Sequence, residues 1–188
     1  MKFCSECGSP AVALRIPPGD SRLRYTCGAC GVIHYQNPKI VAGCIPEWQG
    51  KVLLCRRSIE PRYGFWTLPA GFMENGESTV QAAIRETFEE ANAIVDNLTL
   101  FAMYSLTHIS QVYLMFRGQL REGRASVGME SLEVRLFAED ELPWQELAFP
   151  VMGETLKRYF KDCHTGNYSL HMGDISRSAD GKVSIHCY

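Results

Sequence analysis

The sequence has no long apolar run, no leader-like start, no low-complexity tract and no strong excess of either charge. No stretch approaches the roughly 18 apolar residues that span a bilayer. The first ten residues, Met1-Lys-Phe-Cys-Ser-Glu-Cys-Gly-Ser-Pro10, are polar where a secretory leader carries an apolar core. With 19 basic and 21 acidic side chains, a net charge of −2 argues against holding nucleic acid by bulk attraction. A hydrophobic content of 46% excludes intrinsic disorder. What remains is the expectation of a soluble intracellular protein in the cytoplasm, with neither membrane nor nucleic acid among its partners.

Cysteine, by contrast, is plentiful: eight residues, four of them clustered as Cys4, Cys7, Cys27 and Cys30. In a reducing compartment such clusters are metal ligands or catalytic thiols more often than disulfides. Cys4-Ser-Glu-Cys7-Gly8 and Cys27-Gly28-Ala29-Cys30-Gly31 have the C-x2-C-x19-C-x2-C spacing of a four-thiolate zinc site. Each trailing glycine tolerates positive φ, so backbone N–H groups can turn toward the sulfurs. About forty residues bury little core, so a closed, structural Zn²⁺ would supply much of the folding free energy. The alternative is two redox-active or merely buried pairs. Cys44 and Cys55 lie in apolar runs and read as small core residues, while Cys163 and Cys187 have no readable context.

Charge is uneven along the chain. Residues 1–40 carry net +3, residues 41–150 net −6 and residues 151–188 net +1. Val12–Ile16 and Leu23–Thr26 read as strands around the turn Pro17-Pro18-Gly19-Asp20. Beyond Gln36-Asn37-Pro38, strands are expected over Lys39–Ile45, Lys51–Arg57, Trp66–Leu68, Ile94–Leu106, Gln111–Leu120 and Glu133–Phe137. Helical period covers Ser78–Ala91, and a second helix is expected over Met152–Cys163, ending near Gly166. Strands mixed with helices in this order indicate an α+β or α/β layered domain. The polar stretch from about Ser176 receives no structure.

The most informative segment runs from Gly71 to Ala93. On a helix turning about 100° per residue, Glu86, Glu89 and Glu90 fall within an arc of about 100°. Val80, Ile84, Thr87, Phe88 and Ala91 centre on the opposite side, so the apolar face is expected to pack and the acidic face to be presented. Like-charge pairs at i,i+3 and i,i+4 each destabilise by about 0.2–0.5 kcal/mol, and the C-terminal half of a helix disfavours anions. Only Arg85 is near enough in sequence to compensate. A divalent cation would reverse the sign of these terms, and Mg²⁺ prefers hard oxygen ligands shared with phosphates.

Gly71, Glu77, Arg85, Glu86, Glu89 and Glu90 match the spacing G-x5-E-x7-R-E-U-x-E-E-x-G-U, and the segment resembles the Nudix box. Two positions depart from it. Thr87 replaces an apolar residue, and Asn92 replaces a glycine, where Asn is the next best choice for a left-handed cap. The paired cysteines, Ile33-His-Tyr-Gln-Asn-Pro-Lys39, Leu68-Pro-Ala-Gly71 and Glu130-Ser-Leu-Glu-Val-Arg-Leu-Phe137 extend the resemblance to a zinc-ribbon Nudix subgroup that includes ADP-ribose and FAD pyrophosphatases.

The resemblance implies an α/β/α sandwich with a mixed sheet, preceded by a small zinc ribbon. It implies a ribbon over residues 1–36, a Nudix domain over 37–174 and an unassigned tail over 175–188, and a homodimer is the expected assembly. It implies Mg²⁺ (or Mn²⁺)-dependent cleavage of the diphosphate of a small nucleotide substrate. Glu86 and Glu90 would be the main metal ligands, Glu89 a ligand or water-orienting base, and the Ala70 carbonyl a further ligand. Arg85 would orient the carboxylates with Glu77 as its partner. Glu130 and Glu133 are candidate general bases or ordinary exposed acids. Arg57, Arg62 and Tyr63 could meet phosphates or a base, and Trp66 could stack on adenine or sit in the core. His34 and His108 have no partner spacing and read as structural.

Two functions follow: a metal-dependent pyrophosphatase, favoured by the intact carboxylate set, or a non-catalytic nucleotide-binding module. Among pyrophosphatases the competitor is the NADH-cleaving relative, whose mark is Ser-Gln-Pro-Trp-Pro-Phe-Pro shortly after the box. Here Ser110-Gln111 is followed by Val112, and Ile94–Leu120 contains no proline or tryptophan. FAD and ADP-ribose are therefore expected to be better substrates than NADH.

Overall fold

The computed structural model describes residues 1–178 and 180–188. It comprises two compact units, Met1–Pro38 and Lys39–Tyr188. In the first, β1 (Val12–Arg15) and β2 (Arg24–Cys27) form an antiparallel hairpin, and β3 (Ile33–His34) adds to β2. Asp20 organises the hairpin turn: Oδ1 accepts from the N–H groups of Ser21 and Arg22, and Oδ2 accepts from Arg24 Nε at 2.9 Å. Leu14, Ile16 and Leu23 are exposed while Cys4 and Cys27 are buried. The interior of this unit is thus built on sulfur rather than on aliphatic side chains.

The second unit is built on one mixed sheet. Its strands are β4 (Lys39–Trp48), β5 (Lys51–Arg57), β6 (Trp66–Thr67), β7 (Ala70–Phe72), β8 (Val95–Leu106), β9 (Gln111–Leu120), β10 (Ser131–Phe137), β11 (His171–Arg177) and β12 (Val183–Cys187). The order is β10-β5-β4-β9-β8-β11-β12, with β6 on β5 and β7 on β4. The β4–β9 and β8–β11 pairs are parallel; the others are antiparallel. Gln49 and Gly50 both have positive φ between the paired Trp48 and Lys51, the backbone twist a two-residue hairpin prefers.

Alternation along β4 assigns the layers. Ala42 packs with Ala82, Ala83 and Phe116 on the side of helix α1 (Thr79–Ala91). Val41 and Ile45 join Met152, Leu156, Tyr159 and Phe160 of helix α2 (Pro150–Thr165) in the larger core on the other side. The result is the expected α/β/α sandwich. Fully burying side chains such as Leu156, Met152 and Ile45 contributes roughly 1.5–3 kcal/mol each. Cys44 and Cys55 are buried, as expected of small core residues. Neither helix is long and apolar enough to cross a membrane.

Helix boundaries follow from local chemistry. Ser78 caps α1 in a reciprocal box: its Oγ accepts from Gln81 N at 3.2 Å, and Gln81 Oε1 accepts from Ser78 N at 2.7 Å. Asn92 closes α1 in the left-handed conformation at φ 44°, and its Nδ2 donates to the Val127 carbonyl. Gly166 closes α2 in the same way at φ 69°.

Three expectations need correction. The packing face of α1 is rotated from the expected one toward the acids: Thr87 and Ala91 are buried as expected, together with Ala82, Ala83 and Glu90, whereas Val80, Ile84 and Phe88 are exposed. Small side chains bring the helix close to β4, and that approach turns the carboxylate face inward. The polar stretch from Ser176 holds the end of β11 and all of β12, which extend the sheet beyond β8. A short strand, β7, also occupies Ala70–Phe72, to which the sequence assigned no element.

Candidate functional site

In the first unit the two cysteine turns face each other. Cys4 Sγ lies 3.7 Å from Cys30 Sγ, Cys7 Sγ lies 3.6 Å from Cys27 Sγ, and all four sulfurs lie within 4.8 Å of one another. Four thiolates at about 2.3 Å from a tetrahedral Zn²⁺ would be separated by about 3.8 Å, so the quartet fits the ion. Gly8 and Gly31 have φ of 70° and 77°, and their N–H groups donate to the carbonyls of Cys4 and Cys27. Backbone N–H groups of Cys30 and Ala29 hold the Cys27 thiol down to about 6, while the neighbouring sulfurs and burial push Cys7 up to about 12 and raise Cys30, a crowding of thiols that a bound cation would relieve. His34 places Nε2 3.4 Å from Cys4 Sγ, beside the sulfur cluster.

The second site arises where the sheet opens. β4 and β5 pair only near their shared turn, through Glu47–Val52 and Trp48–Lys51. Beyond it, β7 occupies the edge of β4 and β6 the edge of β5. Into this opening α1 directs Glu86 and Glu90. Gly71 has Glu86 directly against it, and a Cβ there would overlap the Glu86 carboxylate. Gly128 is equally constrained, against the backbone of Glu89 and Glu90, and its N–H donates to the Glu90 carbonyl. The N–H groups of Asn92, Gly128 and Ser126 take the carbonyls of Phe88, Glu90 and Ala91 at the end of α1.

Arg85 is the only basic side chain on α1, and it is fully engaged. Its Nε and Nη2 donate to the two Glu77 oxygens at 3.0 and 2.8 Å, Nη1 donates to Glu86 Oε1 at 2.8 Å and Glu89 Oε2 at 3.0 Å, and Nη2 reaches the Phe72 carbonyl. This bidentate grip holds Glu77 down to about 2. Glu86 and Glu90 shift the other way. Burial raises both, and for Glu90, 5% exposed, burial with the neighbouring charges of Glu86 and Glu130 pushes it up to about 8. Arg57 and the Ala70 backbone oppose that shift without cancelling it. Two buried acids with an incomplete set of counter-charges are a chemically sensible seat for a divalent cation.

These groups line a cavity of about 1400 Å³. Glu86, Glu89, Glu90, Arg85, Ala70, Glu130, Arg57 and Arg62 all border it. Glu130 is fixed by its carbonyl, which accepts from Ser58 N at 2.9 Å, and Arg57 lies over the Phe149 ring at 5.2 Å. Three sequence candidates are placed elsewhere. Trp66 is buried, 4.9 Å edge-on to Phe137. Glu133 points to Arg56 at 3.7 Å, and Tyr63 is exposed outside the lining. Conversely Phe149, Tyr113, His108 and Arg177 line the cavity without having been singled out for it.

Two family models match the chain: Nudix N-terminal over residues 2–36 and NUDIX domain over residues 37–159. The chain belongs to the Nudix family, with a zinc ribbon ahead of the Nudix domain. A NUDIX hydrolase from Nitrosomonas europaea, known as a crystal structure, superimposes with a TM-score of 0.90 at 57% identity, covering 94% of this chain and 100% of that one. The NAD-capped RNA hydrolase NudC of Vibrio vulnificus (strain CMCP6) is 29% identical over 76% of this chain and 53% of its own. The ADP-ribose pyrophosphatase of Methanocaldococcus jannaschii is 31% identical over 61% of this chain and 69% of its own. The chain thus spans about half the length of the NudC relatives it matches.

Proposed function

We propose that the chain is a Mg²⁺- or Mn²⁺-dependent pyrophosphatase that hydrolyses the diphosphate of a nucleoside diphosphate derivative, FAD or ADP-ribose, and releases AMP. The observation that carries this reading is the meeting of Glu86, Glu90 and Glu130 at one wall of a cavity large enough for a dinucleotide. Glu86, Glu90 and the Ala70 carbonyl would hold divalent cations, which would supply positive charge for the diphosphate and activation for a water nucleophile.

The chain's own residues divide the remaining work. Glu86 and Glu90, with the Ala70 carbonyl, hold the ions, and Glu89 is a further ligand or orients the water. Arg85, locked by Glu77, sets the direction of Glu86 and Glu89 and brings no free charge of its own. Gly71 keeps the strand close enough for carboxylates and substrate to share one space. Glu130 is the candidate general base, since it borders the cavity and Glu133 does not. Arg57, at the end of β5, and Arg62, in the loop after it, offer positive charge to the phosphates. Cys4, Cys7, Cys27 and Cys30 hold a structural Zn²⁺ in a ribbon over residues 1–36.

A second reading, hydrolysis of NADH or of a related nicotinamide dinucleotide, is favoured by the relatives named NAD-capped RNA hydrolase. Against it stands Ser110-Gln111-Val112, at the start of β9, where the NADH-cleaving relatives continue into proline and tryptophan. Comparing kcat/KM for FAD, ADP-ribose and NADH at one Mg²⁺ concentration separates the readings. A clear preference for NADH overturns the first, and activity without added divalent metal overturns both.

A further inference from the structure

The C-terminal hairpin lies beyond the end of the NUDIX domain match at residue 159, yet it forms part of the cavity wall. Ile175 of β11 lies opposite Leu106 of β8 and opposite Ile185 of β12, and Arg177 lies opposite Val183. Alternation places Ile175, Arg177 and Val183 on one face, the face of the sheet that carries α2. Leu106, Ile175, Val183 and Arg177 all border the cavity. Val183, half-buried, presents the apolar surface of this wall, backed by the buried Leu106 and Ile175. Arg177 stands exposed at its rim, with no carboxylate within salt-bridge distance among the described residues.

The wall is far from the carboxylates. From β7, which bears Ala70 and Gly71, the sheet runs through β4, β9 and β8 to β11. Four spacings of about 4.8 Å separate the two ends by roughly 19 Å. A ribose attached to a diphosphate at Glu86 and Glu90 falls well short of that distance, whereas a ribityl chain carrying a tricyclic ring extends toward it. The chemistry agrees with the reach. Apolar side chains receive the face of a ring, and a guanidinium fork donates to paired carbonyl acceptors on its edge. A sugar offers neither a flat apolar face nor carbonyls.

We propose that the hairpin of β11 and β12 is a subsite for a planar heteroaromatic ring with carbonyl acceptors, the flavin half of the substrate, and that Arg177 is its hydrogen-bond donor. The inference rests on the pyrophosphatase reading and selects FAD over ADP-ribose within it.

The probe is FMN, the product that carries the ring. It is titrated into the full chain and into Arg177→Ala and Val183→Asp, with flavin fluorescence as the signal, and the same preparations are assayed on FAD and ADP-ribose. FMN is expected to bind the unaltered chain, with its Kd raised about tenfold or more in each variant, as for a lost hydrogen bond or a carboxylate set against the ring. The ratio of kcat/KM for FAD to that for ADP-ribose is expected to fall by a similar factor. Failure of FMN to bind, or binding unchanged in both variants, overturns the subsite even if ADP-ribose is hydrolysed. Equal losses on FAD and ADP-ribose also overturn it, because they assign the hairpin to the shared adenosine half. FMN binding that depends on Arg177, without hydrolysis of any diphosphate, supports the subsite and overturns the pyrophosphatase reading alone.

Discussion

Glu90→Gln separates two roles that one side chain performs. Glu90 is 5% exposed and its carboxyl is pushed up to about 8 from an ordinary 4.5, chiefly by burial and then by Glu86. A group whose folded pKa is raised gives up stability as pH rises: the unfolded chain releases the proton near 4.5, the folded chain only near 8. At pH 7 the metal-free fold therefore carries a penalty of about 3 kcal/mol at this position, from about 1.4 kcal/mol per unit. Gln removes the charge and keeps the shape. Burial of its amide takes back part of the gain, leaving about 2 kcal/mol, or roughly 4–8 °C in Tm for a chain of this size.

The assay is thermal unfolding of both proteins in EDTA between pH 5 and pH 8.5, repeated with excess Mg²⁺, beside steady-state hydrolysis of FAD. Without metal, the unaltered chain is expected to lose stability across this window. Glu90→Gln should be more stable at pH 7 and less sensitive to pH, with a residual slope from Glu86, whose pKa is also raised by burial. Mg²⁺ should stabilise the unaltered chain far more than the variant, by mass action on the folded state. Turnover should fall by on the order of a hundredfold or more. A variant destabilised equally with and without metal would refute the reasoning, because Glu90 would then be a satisfied structural carboxylate.

Elemental analysis should find about one tightly held Zn²⁺ per chain, and Cys27→Ser should release it and destabilise residues 1–38 while Mg²⁺ still stabilises the second unit. Gly71→Ala should lower kcat/KM by about a hundredfold, since displacing a positioned group by an ångström has that effect, while Tm falls only modestly; a fully active variant would show that Glu86 has room to move. Leu156→Ala, at a fully buried core position under the sheet, should destabilise by about 2–5 kcal/mol in chemical denaturation with KM unchanged.

The parts of this protein that were legible in the sequence are those where chemistry fixes spacing. Four thiolates reach one ion only from two tight turns, and the C-x2-C pairs say so. Gly71, Glu77 and Arg85–Glu90 share a fixed spacing that lets Arg85 reach Glu77 eight residues back, at 2.8 Å. Lys51–Arg57, a continuous apolar run buried on both faces, and Gln111–Leu120, closer to alternation, were placed to the residue. Where the signal was short or one-sided it failed. β7 has three residues, one of them glycine, and β11 and β12 at the sheet edge bury only alternate positions. Trp66, Glu133 and Tyr63 share a chain neighbourhood with the cavity but not its wall, a distinction that depends on how β5 and β6 pair.

The face of α1 shows the limit most clearly, because there the usual rule points the wrong way. Hydrophobic periodicity assumes that burial follows apolarity, and by that rule Val80, Ile84 and Phe88 belong inside. The buried face instead carries Ala82, Ala83 and Ala91 around Glu90, with Glu86 half-buried beside them. Alanine contributes little burial energy, but it lets the helix axis approach the sheet closely enough for two glutamates to reach the opening beside Ala70. Gly71 and Gly128 remove the side chains that would block that approach from either flank. Small residues around paired acids are therefore the better sign of an inward acidic face than any apolar stripe opposite it. The desolvation of Glu90 is the energetic consequence, a local destabilisation that a bound cation reverses.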